Sequence, residues 1–485
     1  MKLYEFLKGI DYEILSGDIN LEIDNIAWDT RNLERDSLFI AVKNRNVDRH
    51  SFVLDAVNSG AIALVVEREI ENLPKNITII KVEDSRKSMS VIAKNYYGNP
   101  MERLKVIGVT GTNGKTSVTY FISKILEANK IKCGIIGTIE NTVAGQKMKT
   151  KKLNPTTPDA IELQGTFAEM LNHDATHAVI EVTSSALSQD RVYGCEFDIG
   201  IFTNLTQDHL EEHGTMDNYK NAKLKLFKMC KRGVINADDS VAVDIRATAN
   251  CELITYGIEN NSDFRATHIR YTSRGVNFKL EHEGEAKEVE LNIPGKFSVY
   301  NALAAISSCC SLGLNLDEII KAIKTIDGVP GRFQAVPNNR DILTIVDYAH
   351  SPDGLENILV SVKEIAKGRI ILVFGCGGNR DTGKRPIMGE IAGNYSDYCI
   401  ITSDNPRNED PIKIIDDIEA GIIKTGCSYE KIEDRRKAIF KALEISEPGD
   451  SVIIAGKGHE NYQILKDEIV HFSDEEVIKG YFSFS

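Results

Sequence analysis

Apolar residues along this chain fall in short runs separated by polar turns. In the first hundred residues three such runs, 37–42, 61–66 and 77–82, read as strands. A helix is expected over 52–58, stopping before Gly60. The result is a small α/β unit, closed by the turn cluster Gly98-Asn99-Pro100.

From residue 104 the pattern alternates between strand and helix periods. Strands are expected at 104–109, 131–137, 177–182 and 198–204, and helices at 116–130 and 158–172. That alternation implies a parallel sheet covered on both faces. Residues 251–292 look β-rich and antiparallel, with a turn at Arg274-Gly275, and two helices follow at 298–312 and 316–326. After the linker Gly328-Val329-Pro330-Gly331-Arg332-Phe333 the alternation resumes. Apolar runs at 342–346, 369–374, 398–402 and 451–455 each end in a loop rich in glycine or charge. In open parallel sheets, ligands bind beyond the carboxyl ends of the strands. These loops therefore point to a second site, apart from the glycine-rich loop near residue 110. The fold class expected is α/β with three domains: a small N-terminal α/β domain (1–101), a central P-loop domain on a parallel sheet (102–330), and a C-terminal Rossmann-like α/β domain (331–485).

Composition narrows this only a little. The 485 residues are 42% hydrophobic and 27% charged, which is ordinary for globular chains. A net charge of −13 argues against a nucleic-acid surface. No apolar run reaches membrane-spanning or signal-peptide length. The nine cysteines are scattered without a C-x-x-C pair, so reduced thiols in a cytoplasmic enzyme are expected, with Cys309-Cys310 as small core residues.

The strongest chemical signal is Gly108-Val109-Thr110-Gly111-Thr112-Asn113-Gly114-Lys115-Thr116. Strand, glycine-rich turn, Lys-Thr and helix together read as a phosphate loop. Backbone N–H groups and a helix N-terminus face the phosphates, Lys115 adds charge, and Thr116 offers a magnesium ligand. The glycine spacing differs from the strict G-x-x-x-x-G-K-[ST] pattern, so the loop is a variant. Glu181 ends a strand beside it and is a candidate magnesium ligand, or else a cap or ion-pair residue. Asn154 to Asp159 is either a cap region or an anion site, and Thr183, Ser184 and Ser185 carry the same ambiguity. His209-Leu210-Glu211-Glu212-His213 matches H-x-x-E-H, so a zinc peptidase is a minor alternative. Lys220, Lys223 and Lys225 crowd one helical stretch. They form a solvated face unless one amine is carbamylated to act as a carboxylate.

Taken together, Thr110 to Thr116, Thr156-Thr157-Pro158, Glu181-Val182-Thr183-Ser184, Thr203-Asn204-Leu205 with Asp208-His209, Asn301 to Ala305, Gly331-Arg332-Phe333 and Asp347-Tyr348-Ala349-His350 resemble the Mur ligases over nearly the whole chain. These are ATP-dependent amide-forming enzymes of peptidoglycan synthesis. Asp29-Thr30-Arg31 and Leu38 to Ala41 resemble the uridine-binding region of the members that add the third stem-peptide residue. Asp404-Asn405-Pro406-Arg407 resembles the form that selects meso-diaminopimelate. An arginine suits the second carboxylate of that amine and repels the ammonium of lysine.

The resemblance implies an acyl phosphate formed by ATP on UDP-N-acetylmuramoyl-L-alanyl-D-glutamate, then attack by the diaminopimelate amine. It implies that Gly111, Thr112, Asn113, Gly114, Lys115, Thr116, Asn301, Arg332 and Asp347 bind ATP. Thr116 and Glu181 would serve one magnesium; His209 and Lys223, as its carbamate, would serve another. Thr30, Thr156, Thr157, Ser184, Gln189 and Arg191 would meet the muramoyl dipeptide. Arg385, Asp404, Asn405, Pro406, Arg407, Gly456 and Glu460 would hold diaminopimelate. Lys115, Lys223 and His209 carry the catalytic expectation, in a monomer. The chain departs from the family pattern at Ser185 (usually His), Ser298 (usually Asn) and Gln334 (usually Glu). The alternatives are the same reaction with L-lysine, a folylpolyglutamate synthase and a non-catalytic nucleotide switch.

Overall fold

The computed structural model describes residues 1–484 except 45, 46, 149–153, 155, 209, 273 and 274. The N-terminal sheet runs, in spatial order, Tyr12–Ser16, Thr78–Val82, Ala61–Val66, Ser37–Ile40 and Asn25–Ala27. The edge pair Tyr12–Ser16 with Thr78–Val82 is antiparallel, and the other pairs are parallel. Tyr12–Ser16 and Asn25–Ala27 escape the sequence pattern because edge strands are short and partly polar. The expected helix over 52–58 is split: a 3₁₀ turn at Arg49–Phe52 leads into Val53–Asn58.

The central sheet places the P-loop strand, Lys105–Thr110, between His177–Glu181 and Phe197–Phe202, parallel to both. Glu181 pairs in register with Val109, and Phe202 with Thr110. Three strands therefore end together at the P-loop. The strand is buried on both faces, as its continuous apolar run implies. Ile107 and Val109 face Phe121, Ile122 and Val299; Val106 faces the opposite cluster with Phe167 and Phe202. Burying an isoleucine or phenylalanine in such a layer contributes about 1.5–3 kcal/mol.

Two expectations for this region change. Glu252–Gly257 is not part of an antiparallel unit. It pairs parallel with Cys230–Asn236 and briefly with Phe264–Thr272, and antiparallel pairing begins only after that. The cause is polar: the Asp238 carboxylate accepts the N–H groups of Ile258, Glu259 and Asn260 and holds the turn that redirects the chain. The helix expected from 158 starts at Ala160: Asp159 is its N-cap with an extended backbone, and the Asp159 carboxylate receives Arg86 Nη1 (2.5 Å). The turn placed at Arg274-Gly275 falls partly outside the described residues; Gly275 itself opens the strand Gly275–His282.

The C-terminal sheet runs Gln334–Ala335, Leu343–Asp347, Ser451–Ala455, Ile370–Phe374, Tyr398–Ile401 and Ser428–Lys431. All but its first pair are parallel. Asp347 pairs with Ala455, and Phe374 with Ile401, so the four loops after these strands share one edge. A hairpin, Tyr462–Leu465 with Glu468–His471, lies over that edge. Among the described residues no helix is long and apolar enough to cross a membrane.

Candidate active site

The P-loop is held open by its neighbours. Gly111 has φ +149°, and a Cβ there would lie 1.8 Å from Thr203 Oγ1, so only glycine fits. Gly114 has φ +84° and precedes the helix Lys115–Ala128; a Cβ on it would sit 2.5 Å from Asn301 Oδ1. Asn301 of the helix Lys296–Ser311 therefore borders the loop directly. Asn113 N–H donates to Asn204 Oδ1 (2.9 Å), and Thr203 Oγ1 donates to the Asn113 carbonyl (2.6 Å). Thr112 Oγ1 lies 3.1 Å from the Tyr219 hydroxyl. Lys115 Nζ donates to the carbonyls of Gly111 (3.0 Å) and Thr112 (2.8 Å). Burial lowers the pKa of this amine, with Glu181 and Asp208 pulling the other way.

Glu181 is the centre of an oxygen-rich cluster. Its carboxylate accepts Thr116 Oγ1 (3.1 Å), Thr138 N–H (2.7 Å) and Thr138 Oγ1 (2.9 Å). Thr138 Oγ1 lies 3.2 Å from Thr156 Oγ1. Arg332, from the interdomain linker, donates Nη2 to Thr116 Oγ1 at 3.3 Å. Thr138 was not among the residues expected from sequence; a threonine after a short strand carries no distinctive pattern. Lys223 is buried on the helix Met216–Leu224, and its Nζ donates to the Gly111 carbonyl at 2.7 Å. Burial, then the charge of Lys115, pushes this amine well below the usual lysine range, against the pull of Asp208. Lys220 and Lys225 face elsewhere, toward Asp217 and Asp244, and toward the Leu187 carbonyl and Asp190, respectively.

Beside this cluster a polar chain runs from the sheet end to the surface. Thr157 Oγ1 donates to the Glu181 carbonyl (2.7 Å), and Arg191 Nη1 donates to the Thr157 carbonyl (3.1 Å). Arg191 Nη2 donates to Gln189 Oε1 (2.9 Å), and Gln189 Nε2 to Glu212 Oε1 (3.1 Å). Arg191 Nε is buried and makes no hydrogen bond among the described residues. Ser184 Oγ lies 3.0 Å from His213 Nε2. Thr30 stands apart from this chain, half-buried on a 3₁₀ turn capped by the Asp29 carboxylate. His209 lies outside the described residues.

The C-terminal loops form a second polar centre. Asn405 Nδ2 donates to Glu460 Oε2 (3.0 Å), and Asn405 Oδ1 accepts Ile464 N–H (2.9 Å). Gln463 Nε2 donates to the Asp404 carbonyl at 2.6 Å, so the hairpin clamps this loop. Pro406 accepts the Glu409 N–H (3.0 Å), and Gly456 N–H donates to the Asp347 carbonyl (3.0 Å). Arg407 has φ +52° and anchors Nη1 on the Gly378 carbonyl (2.8 Å). Its Nη2 and Nε make no hydrogen bond among the described residues. Arg385 is 2% exposed and committed to Glu409 (2.9 Å) and Asp417 (2.9 Å). Lys457, absent from the sequence expectations, is fully buried at the middle of the cluster. A lysine between two glycines in a polar loop looks solvent-facing from sequence.

The two centres meet across the domain boundary. Asp353, at the start of the helix Pro352–Lys363, accepts Asn113 Nδ2 (2.5 Å) and Thr206 Oγ1 (2.8 Å) through one oxygen. Asp347 accepts the N–H groups of Phe333 (2.6 Å) and Ala349 (2.7 Å), and burial raises its pKa. Arg332 stacks over Tyr348 with its guanidinium carbon 4.7 Å from the ring centre.

Known proteins match this chain over nearly its whole length. The Mur ligase middle domain matches residues 109–309, and the Mur ligase glutamate ligase domain matches 331–458. The chain is 45% identical over 478 residues to UDP-N-acetylmuramoyl-L-alanyl-D-glutamate–2,6-diaminopimelate ligase 2 of Clostridium acetobutylicum, covering 99% of each. It is 46% identical over 483 residues to the ligase of that name from Clostridium tetani, again covering 99% of each. The chain belongs to the Mur ligase family. A solved structure of a Mur ligase, again a UDP-N-acetylmuramoyl-L-alanyl-D-glutamate–2,6-diaminopimelate ligase, superposes with a TM-score of 0.71 at 31% identity, covering 100% of this chain and 99% of the other.

Within this Mur ligase the three departures each have a local partner. Ser185 Oγ donates to Glu212, with Gln189 Nε2 donating to Ser185 at 3.1 Å. Ser298 Oγ donates to the carbonyls of Ile293 (2.8 Å) and Gly295 (2.6 Å), tying down the start of its helix. Gln334 Oε1 accepts the Gly331 N–H (2.7 Å), closing the linker turn as a carboxylate also would.

Proposed function

We propose that this Mur ligase joins meso-diaminopimelate to UDP-N-acetylmuramoyl-L-alanyl-D-glutamate, driven by ATP, in peptidoglycan synthesis. The observation that carries the reading is Arg407. It is anchored through Nη1 alone on a chain that matches diaminopimelate-adding ligases end to end. Its remaining donors suit a carboxylate held bidentately.

The first domain, 1–101, takes the uridine end through Thr30 and its neighbours. The central domain, 102–330, takes ATP on Gly111 to Thr116 with Asn301 beside the loop. The third domain, 331–485, takes the amine. Thr156, Thr157, Ser184, Gln189 and Arg191 hold the dipeptide, and the unpartnered Nε of Arg191 suits an anionic group. Arg385, Asp404, Asn405, Pro406, Gly456 and Glu460 frame the amine with Arg407.

The carboxylate of the dipeptide attacks the terminal phosphorus of ATP, and ADP leaves. The amine of diaminopimelate then attacks the acyl carbon and phosphate departs. Lys115 follows the transferred phosphate as a full positive charge, and Arg332 and Asp347 bring the third domain to the nucleotide. The side-chain polar atoms of Glu181, Thr116 and Thr138 are all oxygen, which fits a hard cation. Thr116 and Glu181 would hold one magnesium; His209 and Lys223, as its carbamate, would hold a second. Magnesium, when bound, neutralises charge on the phosphate oxygens. The amine of Lys223, pushed toward its neutral form by burial and by Lys115, is the form that adds carbon dioxide. A cytoplasmic monomer completes the reading.

The test is phosphate release with ATP, magnesium, the UDP-muramoyl dipeptide and meso-diaminopimelate, omitting each in turn. Release that persists without the dipeptide or the amine refutes the ligase reading. Equal turnover with L-lysine refutes the choice of amine.

A further inference from the structure

Lys457 has no step in the reaction above, yet it is the buried cation of the amine site. Its side chain is 0% exposed. Nζ lies 3.1 Å from Asn405 Oδ1, 3.2 Å from Glu460 Oε2 and 3.8 Å from Asp404 Oδ1. The Tyr462 ring centre is 5.6 Å away. An ammonium with three donors therefore faces three oxygens, drawn from two loops that lie on one sheet edge. Glu460 Oε2 also accepts Asn405 Nδ2, so the lysine and the asparagine fix one carboxylate oxygen between them.

We propose that Lys457 is a positioning residue that matches the pocket to a zwitterionic head group. The inference rests on the ligase reading above. Lys457 and Arg407 each carry a formal positive charge, and Asp404 and Glu460 each a negative one, so the four cancel. The nearby Arg435 does not alter this balance. It is paired at 2.8 Å with Asp474, both side chains being 0% exposed. Arg385 is likewise committed, to Glu409 and Asp417.

The far head of meso-diaminopimelate carries one ammonium and one carboxylate, and enters without net charge. The far end of L-lysine adds an unmatched positive charge. The far end of 2-aminopimelate, which lacks the second amine, adds an unmatched negative one. A buried site penalises either imbalance. Arg407 by itself would reject only the lone ammonium. Discrimination against the lone carboxylate falls to Glu460 and Asp404, which Lys457 holds in place, while the charge of Lys457 adds to the rejection of the lone ammonium. Without Lys457 the pocket gains a net negative charge and shifts toward the lone ammonium.

The experiment measures kcat/KM for meso-diaminopimelate, L-lysine and 2-aminopimelate on the full-length enzyme with ATP, magnesium and the UDP-muramoyl dipeptide. Wild-type turnover of meso-diaminopimelate tests the ligase reading on its own. Given that turnover, 2-aminopimelate should be poorer by about tenfold or more. A smaller deficit overturns the present inference and leaves the ligase reading intact. In Lys457→Met and Lys457→Gln, the ratio of L-lysine to meso-diaminopimelate should rise by about tenfold or more. An equal loss for all three amines marks a merely structural lysine and overturns the inference. Lys457→Arg, which keeps the charge, should hold the wild-type ratio; a rise matching that of Lys457→Met overturns the inference.

Discussion

Lys223 Nζ donates to the carbonyl oxygen of Gly111 at 2.7 Å. Lys115 Nζ shares that oxygen at 3.0 Å. Two lysines thus converge on one turn of the P-loop. Each loses charge stability to burial, and Lys223 loses more through the charge of Lys115. An amine pushed toward its neutral form can add carbon dioxide, and the carbamate proposed at Lys223 would supply an anion for the proposed magnesium. Lys223→Ala should lower kcat by about 100-fold or more, the scale on which aligned charge groups act in phosphoryl and acyl transfer. Formate or acetate should restore part of the loss. Full activity in Lys223→Ala rules the carbamate out.

Arg407→Ala should raise KM for meso-diaminopimelate by about 10–100-fold, the worth of a charge-assisted bidentate pair. The φ of +52° and the bond to Gly378 hold the guanidinium in place before the amine arrives, so little ordering is left for binding. KM for ATP should stay near the wild-type value. A matching rise in both constants would mean that the substitution disturbs the third domain as a whole.

Much of this layout is legible in the chain itself. The apolar runs before Gly111, Glu181, Asp347 and Gly456 are buried on both faces, so they stand out without alternation, and their ends locate both centres. What escapes is of two kinds. Edge strands such as Ser428–Lys431 are polar enough to pass for loops. Long-range partners leave no local trace. Nothing near Arg385 announces Asp417, nothing near Asn113 announces Asp353, and Lys457 looks solvated until the strand order brings Glu460 and Asn405 around it.

Asp353→Ala should loosen the contact between the central and third domains. Its one carboxylate oxygen takes hydrogen bonds from both Asn113 of the P-loop and Thr206 of the neighbouring strand end. Both donors then face water, so the folded domains keep most of their stability. The loss falls on closure, and kcat should drop by about tenfold with the thermal midpoint little changed. Small-angle scattering should show a larger radius for the variant with ATP bound. An unchanged kcat would remove this contact from the closing mechanism.

Trp28 Nε1 donates to Glu162 Oε1 at 3.3 Å, joining the first domain to the helix Ala160–Asn172 of the second. Burial pushes the Glu162 carboxyl up to about 7, with the charge of Asp159 adding to it and Trp28 and Arg191 opposing. The unfolded carboxyl titrates near its ordinary 4.5. Between those values the folded chain keeps a proton that the unfolded chain has lost, so the contribution of this group to stability falls as pH rises and levels off above about 7. The full cost is at most about 3 kcal/mol. Glu162→Gln keeps the acceptor for Trp28 and cannot ionise. Its stability relative to wild type should therefore be near zero below about pH 4 and grow to about 3 kcal/mol by about pH 8. Trp28 is the only tryptophan in the chain, so its fluorescence during urea unfolding reads this junction directly. A difference between variant and wild type that stays constant across the range would show that Glu162 does not titrate within it.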